Sequence, residues 1–359
     1  MVAIYIGSTT PRTGKSLVAM SLGLSLKGDG HSVGYMKPYG QMPRRVDDHM
    51  GDEDALLVQE VLDQNAPADL LTPVVAPANI RAALLGGDNG LDRTATAYAH
   101  IAKGRDVMLV GGSGSLFHTG RARGVDGLAV IERLNLKVLL VERFRNGGMD
   151  HDAILHAASV LGPRLAGVLL NDIPDSYQRD AEEVLVPFLQ ERGVRVLGLV
   201  PHEPLLHAIR ASDLALKLGG RLVSGSGGAS RLVEGFLIGT MQVENFMSHF
   251  RRHANTATIV GGDRTDLQLV ALEGKCPCLV LTGNLPPDDI IRARSEAQGV
   301  PVIVVREDTY TVARAMEDIL NSQKLRDLVT IRRGADIVAA ALDRNALLAQ
   351  PITPKEDRS

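Results

Sequence analysis

The chain has 359 residues, 45% of them apolar, with 39 basic against 42 acidic side chains and a formal net charge of −3. That balance lacks the basic excess a generic nucleic-acid binder needs, and six Phe, six Tyr and no Trp offer no stacking platform for single strands. Two cysteines, Cys276 and Cys278, exclude a disulfide scaffold, and the length predicts two domains at about 100–200 residues each.

The N-terminus has neither a basic n-region nor a long apolar h-region, so no signal peptide is read there. No apolar run approaches the roughly 18 residues of a membrane helix. A soluble cytoplasmic protein that binds neither membrane nor nucleic acid is expected.

Val2–Ile6 is an apolar run ending in Gly7 and reads as a buried strand. Lys15–Lys27 carries Leu17, Val18, Met20, Leu22, Leu24 and Leu26, the pattern of a buried helix. Ser32–Met36 is the next strand and Asp54–Leu62 the next helix. Asp106–Val110 runs into Gly111-Gly112-Ser113-Gly114-Ser115. Strands Lys137–Val141 and Leu165–Leu170 flank the helix Asp150–Leu161, and Val194–Leu199 follows. This alternation predicts a parallel sheet covered by helices on both faces.

Leu205–Leu218 reads as a helix closed by Gly219-Gly220, and Ser224–Ser230 has the composition of a linker. A domain boundary is therefore expected near residues 203–225. Strands Phe236–Thr240, Thr256–Val260, Cys278–Leu281 and Val302–Val305 alternate with helices Asp266–Leu272, Pro287–Gln298 and Thr311–Leu320, predicting a second, smaller α/β domain. Ser322–Leu348 is amphipathic and expected to pack on either domain or on a second chain, and the tail from Gln350 is expected to fray. The expected division is 1–205, 222–320 and a C-terminal helical segment, 321–359.

The chemistry concentrates at strand ends. Gly7-Ser8-Thr9-Thr10-Pro11-Arg12-Thr13-Gly14-Lys15-Ser16 joins the first strand to the first helix, where backbone N–H groups and the helix dipole receive phosphate. Thr10, Thr13, Gly14, Lys15 and Ser16 are the candidate nucleotide ligands, with Lys15 for the β/γ-phosphates and Ser16 for Mg²⁺. The strict pattern has glycine at position 9, where this chain has Thr9. Lys37 ends the second strand, either as a site residue or as an ordinary surface lysine. Asp47, Asp48, Asp52, Glu53 and Asp54 crowd the next helix start, as caps or as a Mg²⁺ ligand, for which Asp54 is the candidate.

These residues resemble dethiobiotin synthetase: Thr-Pro-Arg-Thr-Gly-Lys-Ser, Tyr-Met-Lys-Pro at 35–38, Glu53-Asp54-Ala55, Val110–Ser115 and Leu170-Asn171-Asp172. The resemblance implies a P-loop NTPase-type fold using ATP and Mg²⁺. It implies Lys15 and Ser16 on phosphate and metal, Lys37 near a reacting carbamate, Asp54 on Mg²⁺ and Asn171 at the adenine edge. The family has a metal-binding glutamate where this chain has Gly111, with Glu142 as another acid able to replace it.

Asp263-Arg264-Thr265, preceded by Gly261-Gly262 and followed by Asp266, resembles the DRTGG domain in the variant found in long phosphotransacetylases. Read from the residues alone, the same junction is a glycine turn with Asp263, Thr265 or Asp266 capping a helix and Arg264 facing an anion. The resemblance to the N-terminal half of long phosphotransacetylases covers about residues 1–320. It implies a nucleotide-binding regulatory or sensor protein, a second small-molecule ligand at the DRTGG-like domain and a homo-oligomer. It also implies that the acetyltransferase part, and with it phosphate acetyltransferase activity, is lacking. The alternative is a Mg-ATP-dependent carboxylate ligase or synthetase related to dethiobiotin or cobyrinic acid a,c-diamide synthase, and a third reading is a P-loop scaffold. Cys276 and Cys278 read as small buried residues, and Arg44, Arg45, Arg121 and Arg123 as solvated loop charges or a lining of the nucleotide cleft.

Overall fold

The computed structural model describes residues 1–77, 79, 81, 90–145, 147–250, 255–321 and 327–349. The chain forms two compact units, Met1–His202 together with Arg326–Ser359, and Glu203–Leu325.

The first unit is built on six parallel strands: β1 (Val2–Gly7), β2 (Val33–Met36), β3 (Val107–Gly111), β4 (Lys137–Arg143), β5 (Leu165–Ile173) and β6 (Val196–Pro201). Their order is β6-β5-β4-β1-β3-β2. A parallel sheet is covered on both faces, so its strands are apolar throughout rather than alternating, as Val138, Leu139, Leu140 and Val141 are. Because β1 lies between β3 and β4, the connections diverge at its carboxyl end and leave a crevice there. Helix α1 (Lys15–Gly28) opens at that crevice.

Helix Leu328–Ala341 lies against both α1 and the edge strand β6: Ser21 Oγ donates to the Ala335 carbonyl at 2.5 Å. Gly198 of β6 leaves no room for a Cβ beside the Ala341 carbonyl, and Asp343 N donates to Leu197 O at 2.8 Å. The C-terminal segment, expected to pack on either domain or on a second chain, belongs to the first unit over residues 327–349; the tail from Gln350 lies outside the described residues. A polar hairpin, Pro43–Val46 with His49–Asp52, had no counterpart in the sequence reading.

The second unit holds β7 (Arg221–Ser224), β8 (Gly235–Ile238), β9 (Thr256–Gly261), β10 (Leu279–Thr282) and β11 (Val302–Val304), in the order β7-β11-β10-β9-β8. Within this sheet, among the described residues, the edge strand β7 alone is antiparallel. This corrects the linker expectation at its start. Ser224 lies in β7 with its hydroxyl 2.6 Å from Ser295 Oγ, and Gly225 at φ 68° packs against the Val300 carbonyl. Ile209, Ala211, Leu214 and Ala215 enter the core of this unit, which therefore opens near Glu203 rather than 222. Cys276 and Cys278 are free and buried in it, with burial pushing the Cys276 thiol up to about 12.

Candidate functional site

The segment after β1 turns through Ser8–Gly14 into α1. Gly14 stands at φ 97° against the Asn171 amide, a left-handed position with no space for a side chain, and no side chain caps the helix behind it. The amides of the first turn are thereby left open to an anion. Lys15 is buried, its Nζ 2.5 Å from Ser8 Oγ and 3.0 Å from the Gly114 carbonyl. Burial pulls the Lys15 ammonium down to about 8, with Glu142 opposing the shift and Lys37 and Arg145 adding to it. Thr13 is fully buried, and its hydroxyl has no partner among the described residues. Thr10 offers its carbonyl to Ser8 Oγ at 2.5 Å, and Ser16 lies half-buried in the first turn.

Side chains from neighbouring strands hold this loop. Glu142, at the end of β4, accepts from Thr9 N at 2.6 Å; Arg145 donates to the Pro11 carbonyl and, at 2.7 Å, to that of Arg12; Asn171 Nδ2 donates to Thr13 O at 2.8 Å. Burial raises the Glu142 carboxyl to about 6 against the lowering effects of Thr9 and Lys15. The resemblance implies Asn171 at the adenine edge; in the structure its amide is tied to the loop. Sequence reading singled out neither Arg145 nor Asp172, whose carboxylate accepts from Arg143 Nε and pairs with His202 Nδ1, each at 2.6 Å. Asp172 stands in the Leu170-Asn171-Asp172 motif without a role, and no motif contains Arg145.

On the other side of β1, Lys37 is 6% exposed, which excludes the surface-lysine reading. Its Nζ lies 2.7 Å from Asp52 Oδ1 and 3.5 Å from Asp54 Oδ2. Asp52, fully buried, also accepts from Ala55 N at 3.1 Å and Met42 N at 2.9 Å. Within the acidic cluster Asp52 is therefore the cap of helix α2 (Glu53–Val61), and Asp54 is left half-buried with its carboxylate on Lys37. The donors suited to Mg²⁺ are Asp54 and the Ser16 hydroxyl. A second carboxylate does not fit at position 111: a Cβ on Gly111 would stand 2.5 Å from Tyr35 Oη, so the phenol fills that space. Burial, then Asp52 and Asp54, hold the Tyr35 phenol neutral, well above its ordinary range. Arg44 and Arg45 are exposed on the hairpin and Arg121 on its turn.

In the second unit, Asp263, Arg264 and Thr265 follow β9. Arg264 grips Asp266 through two bonds of 3.0 and 2.9 Å, which lowers the Asp266 carboxyl. Thr265 Oγ1 lies 3.3 Å from Asp288 Oδ2. No side chain caps helix Thr265–Glu273, which corrects the capping expectation. Gln268 Nε2 instead donates to the carbonyls of Gly261 and Gly262, each at 3.1 Å.

A phosphate-type loop between the central strand of a parallel sheet and its first helix defines a P-loop NTPase-type domain. Residues 2–210 match the AAA domain family, to which the chain belongs, and residues 213–319 match the DRTGG domain. The chain is 27% identical to a phosphate acetyltransferase of Pseudomonas putida over 100% of its own length and 53% of that protein. It is 26% identical to the ATP-dependent dethiobiotin synthetase BioD of Bacillus subtilis, over 58% of this chain and 94% of that one. Among solved structures it resembles the MinD cell division protein of Aquifex aeolicus, with TM-score 0.37, 15% identity, and coverage of 57% of this chain and 84% of that one. The chain spans about half the length of the phosphate acetyltransferases it matches from end to end.

Proposed function

We propose that the protein is a nucleotide-binding regulatory or sensor protein of the kind found in the N-terminal half of long phosphotransacetylases. The first unit holds ATP or a related nucleotide, and the DRTGG domain takes a second small molecule or mediates homo-oligomer assembly. The observation that carries this reading is the loop itself: open first-turn amides at left-handed Gly14, a buried Lys15 and a buried Thr13 hydroxyl with no partner among the described residues. Thr10, Thr13, Gly14 and Lys15 receive the phosphates, with Asn171 beside them toward the base. Ser16 and Asp54 would hold Mg²⁺, which supplies charge neutralisation at the phosphates. With Tyr35 in the place of a second carboxylate and Lys37 committed to Asp52, the site favours holding nucleotide over turning it over.

The competing reading is a Mg-ATP-dependent carboxylate ligase, favoured by Lys37 and Asp54 lying 3.5 Å apart beside the loop. Calorimetric titration with ATP and Mg²⁺, run beside steady-state hydrolysis, separates the two. Tight binding with negligible turnover is expected, and Lys15→Ala should abolish binding. Turnover stimulated by a carboxylate or an amine would favour the ligase; a Lys15→Ala variant that binds like the parent would remove the nucleotide reading.

A further inference from the structure

The loop departs from the glycine pattern in a way that needs compensation. Thr9 stands where the pattern has glycine, and Arg12 takes φ 59°, a left-handed conformation that an L-residue rarely adopts. What holds the backbone in this shape comes from outside the loop. Glu142 fixes the Thr9 amide at the loop's entry, and Arg145 fixes the Pro11 and Arg12 carbonyls at its crest. Glu142 lies in β4 and Arg145 two residues beyond its end, and β4 pairs directly with β1.

We propose that Glu142 and Arg145 are positioning residues of the nucleotide site, an opposite-charge clasp that preforms the phosphate loop in place of glycine and sets its net charge; this rests on the nucleotide reading above. Arg145 has Arg12 and Arg143 as cationic neighbours and Glu142 and Asp172 as acidic ones. Glu142 faces Lys15 and, on the acidic side, Asp150. A buried carboxylate beside a phosphate cradle opposes the incoming anion even as it shapes the cradle. Its acceptor role and its charge therefore act in opposite directions on affinity, and side-chain substitution separates them.

The test is calorimetric titration of the full chain with ATP, ADP and inorganic tripolyphosphate. Glu142→Gln keeps an acceptor for Thr9 N–H and removes the charge, so all three anions should bind more tightly than to the parent. Glu142→Ala, of equal charge, should bind them about tenfold more weakly than Glu142→Gln, the cost of a lost buried acceptor. Arg145→Ala should lose about tenfold against the parent, and Arg145→Lys, which keeps the charge but reaches one carbonyl instead of two, should fall between. Equal affinities in Glu142→Gln and Glu142→Ala, or parental affinity in Arg145→Ala, would overturn the clasp. Weaker Mg-ATP binding in Glu142→Gln than in the parent would also overturn it, because the carboxylate would then be acting as a cation ligand. The near-isosteric Gln variant keeps the test decisive should an alanine variant fail to fold. A parent that binds none of the three anions, or a Lys15→Ala variant that binds them like the parent, sinks the nucleotide reading and this proposal together; a binding parent with an impaired Lys15→Ala but a silent Arg145→Ala overturns the clasp alone.

Discussion

At the scale of single residues, the decisive feature is a lysine kept close to its titration point. An anion needs Lys15 as the ammonium, and in the free protein burial has brought it down to about 8. Phosphate in the loop stabilises the charged form and raises that value again. Nucleotide affinity should therefore hold below pH 8 and fall as pH rises through it, by up to about one log unit per pH unit. Titrations from pH 7 to 10 read this directly, and Lys15→Arg, which stays charged throughout, should flatten the profile. The same group illustrates what sequence can and cannot show. Gly14-Lys15-Ser16 after an apolar strand announces a phosphate loop, whereas the neighbours that tune Lys15 come from residues 37, 54, 142 and 145 and are brought there only by the fold. Gly111 was visible as a missing acid; the phenol of Tyr35 standing over it was not, because nothing local links positions 35 and 111.

Stability prediction follows for Glu142 as well. Its carboxyl titrates near 6 in the fold against an ordinary value of 4.5, so the folded state binds the proton more tightly. Stability contributed by that proton is full below pH 4.5 and is lost as pH rises through about 6, by on the order of 2 kcal/mol. Comparing urea unfolding of the parent and Glu142→Gln at pH 5 and pH 7 should show a difference between the two proteins that widens at the higher pH.

At the scale of elements, the junction of β2 with α2 shows one carboxylate doing two jobs. Asp52 accepts the N-terminal amide of α2 and neutralises a lysine buried beside it. Asp52→Ala would leave the buried Lys37 ammonium with only the longer contact to Asp54 and uncap the helix, and should cost about 3 kcal/mol in chemical unfolding. Asp54→Ala, whose carboxylate is partly in solvent, should cost far less and act on metal dependence instead. The central strands were legible because parallel strands buried on both faces leave continuous apolar runs. The hairpin at 43–52 was not: its strands are mostly exposed and polar, and their pairing with each other leaves no alternation to read. The edge strand β7 was hidden for a related reason. Its four residues run into a Gly/Ser stretch whose small side chains serve close packing, yet the composition is that of a flexible joint.

At the scale of the whole molecule, the two units divide differently along the chain from the way the sequence suggests. A fragment of residues 203–325 should unfold in a single cooperative transition, whereas one starting at Leu222 lacks Ile209, Ala211, Leu214 and Ala215 and should not. Circular dichroism melts of the two fragments decide this.

The closing helix of the first unit has a consequence in time. Residues 1–202 leave the ribosome first, but the helix that covers α1 and receives the Ser21 hydroxyl is made only after the entire second unit. At ~5–20 residues per second, the intervening stretch takes on the order of ten seconds to synthesise. During that interval the nascent N-terminal part carries an uncovered apolar helix face, the kind of surface that nascent-chain chaperones hold. Completion of the first unit thus waits for synthesis of the second.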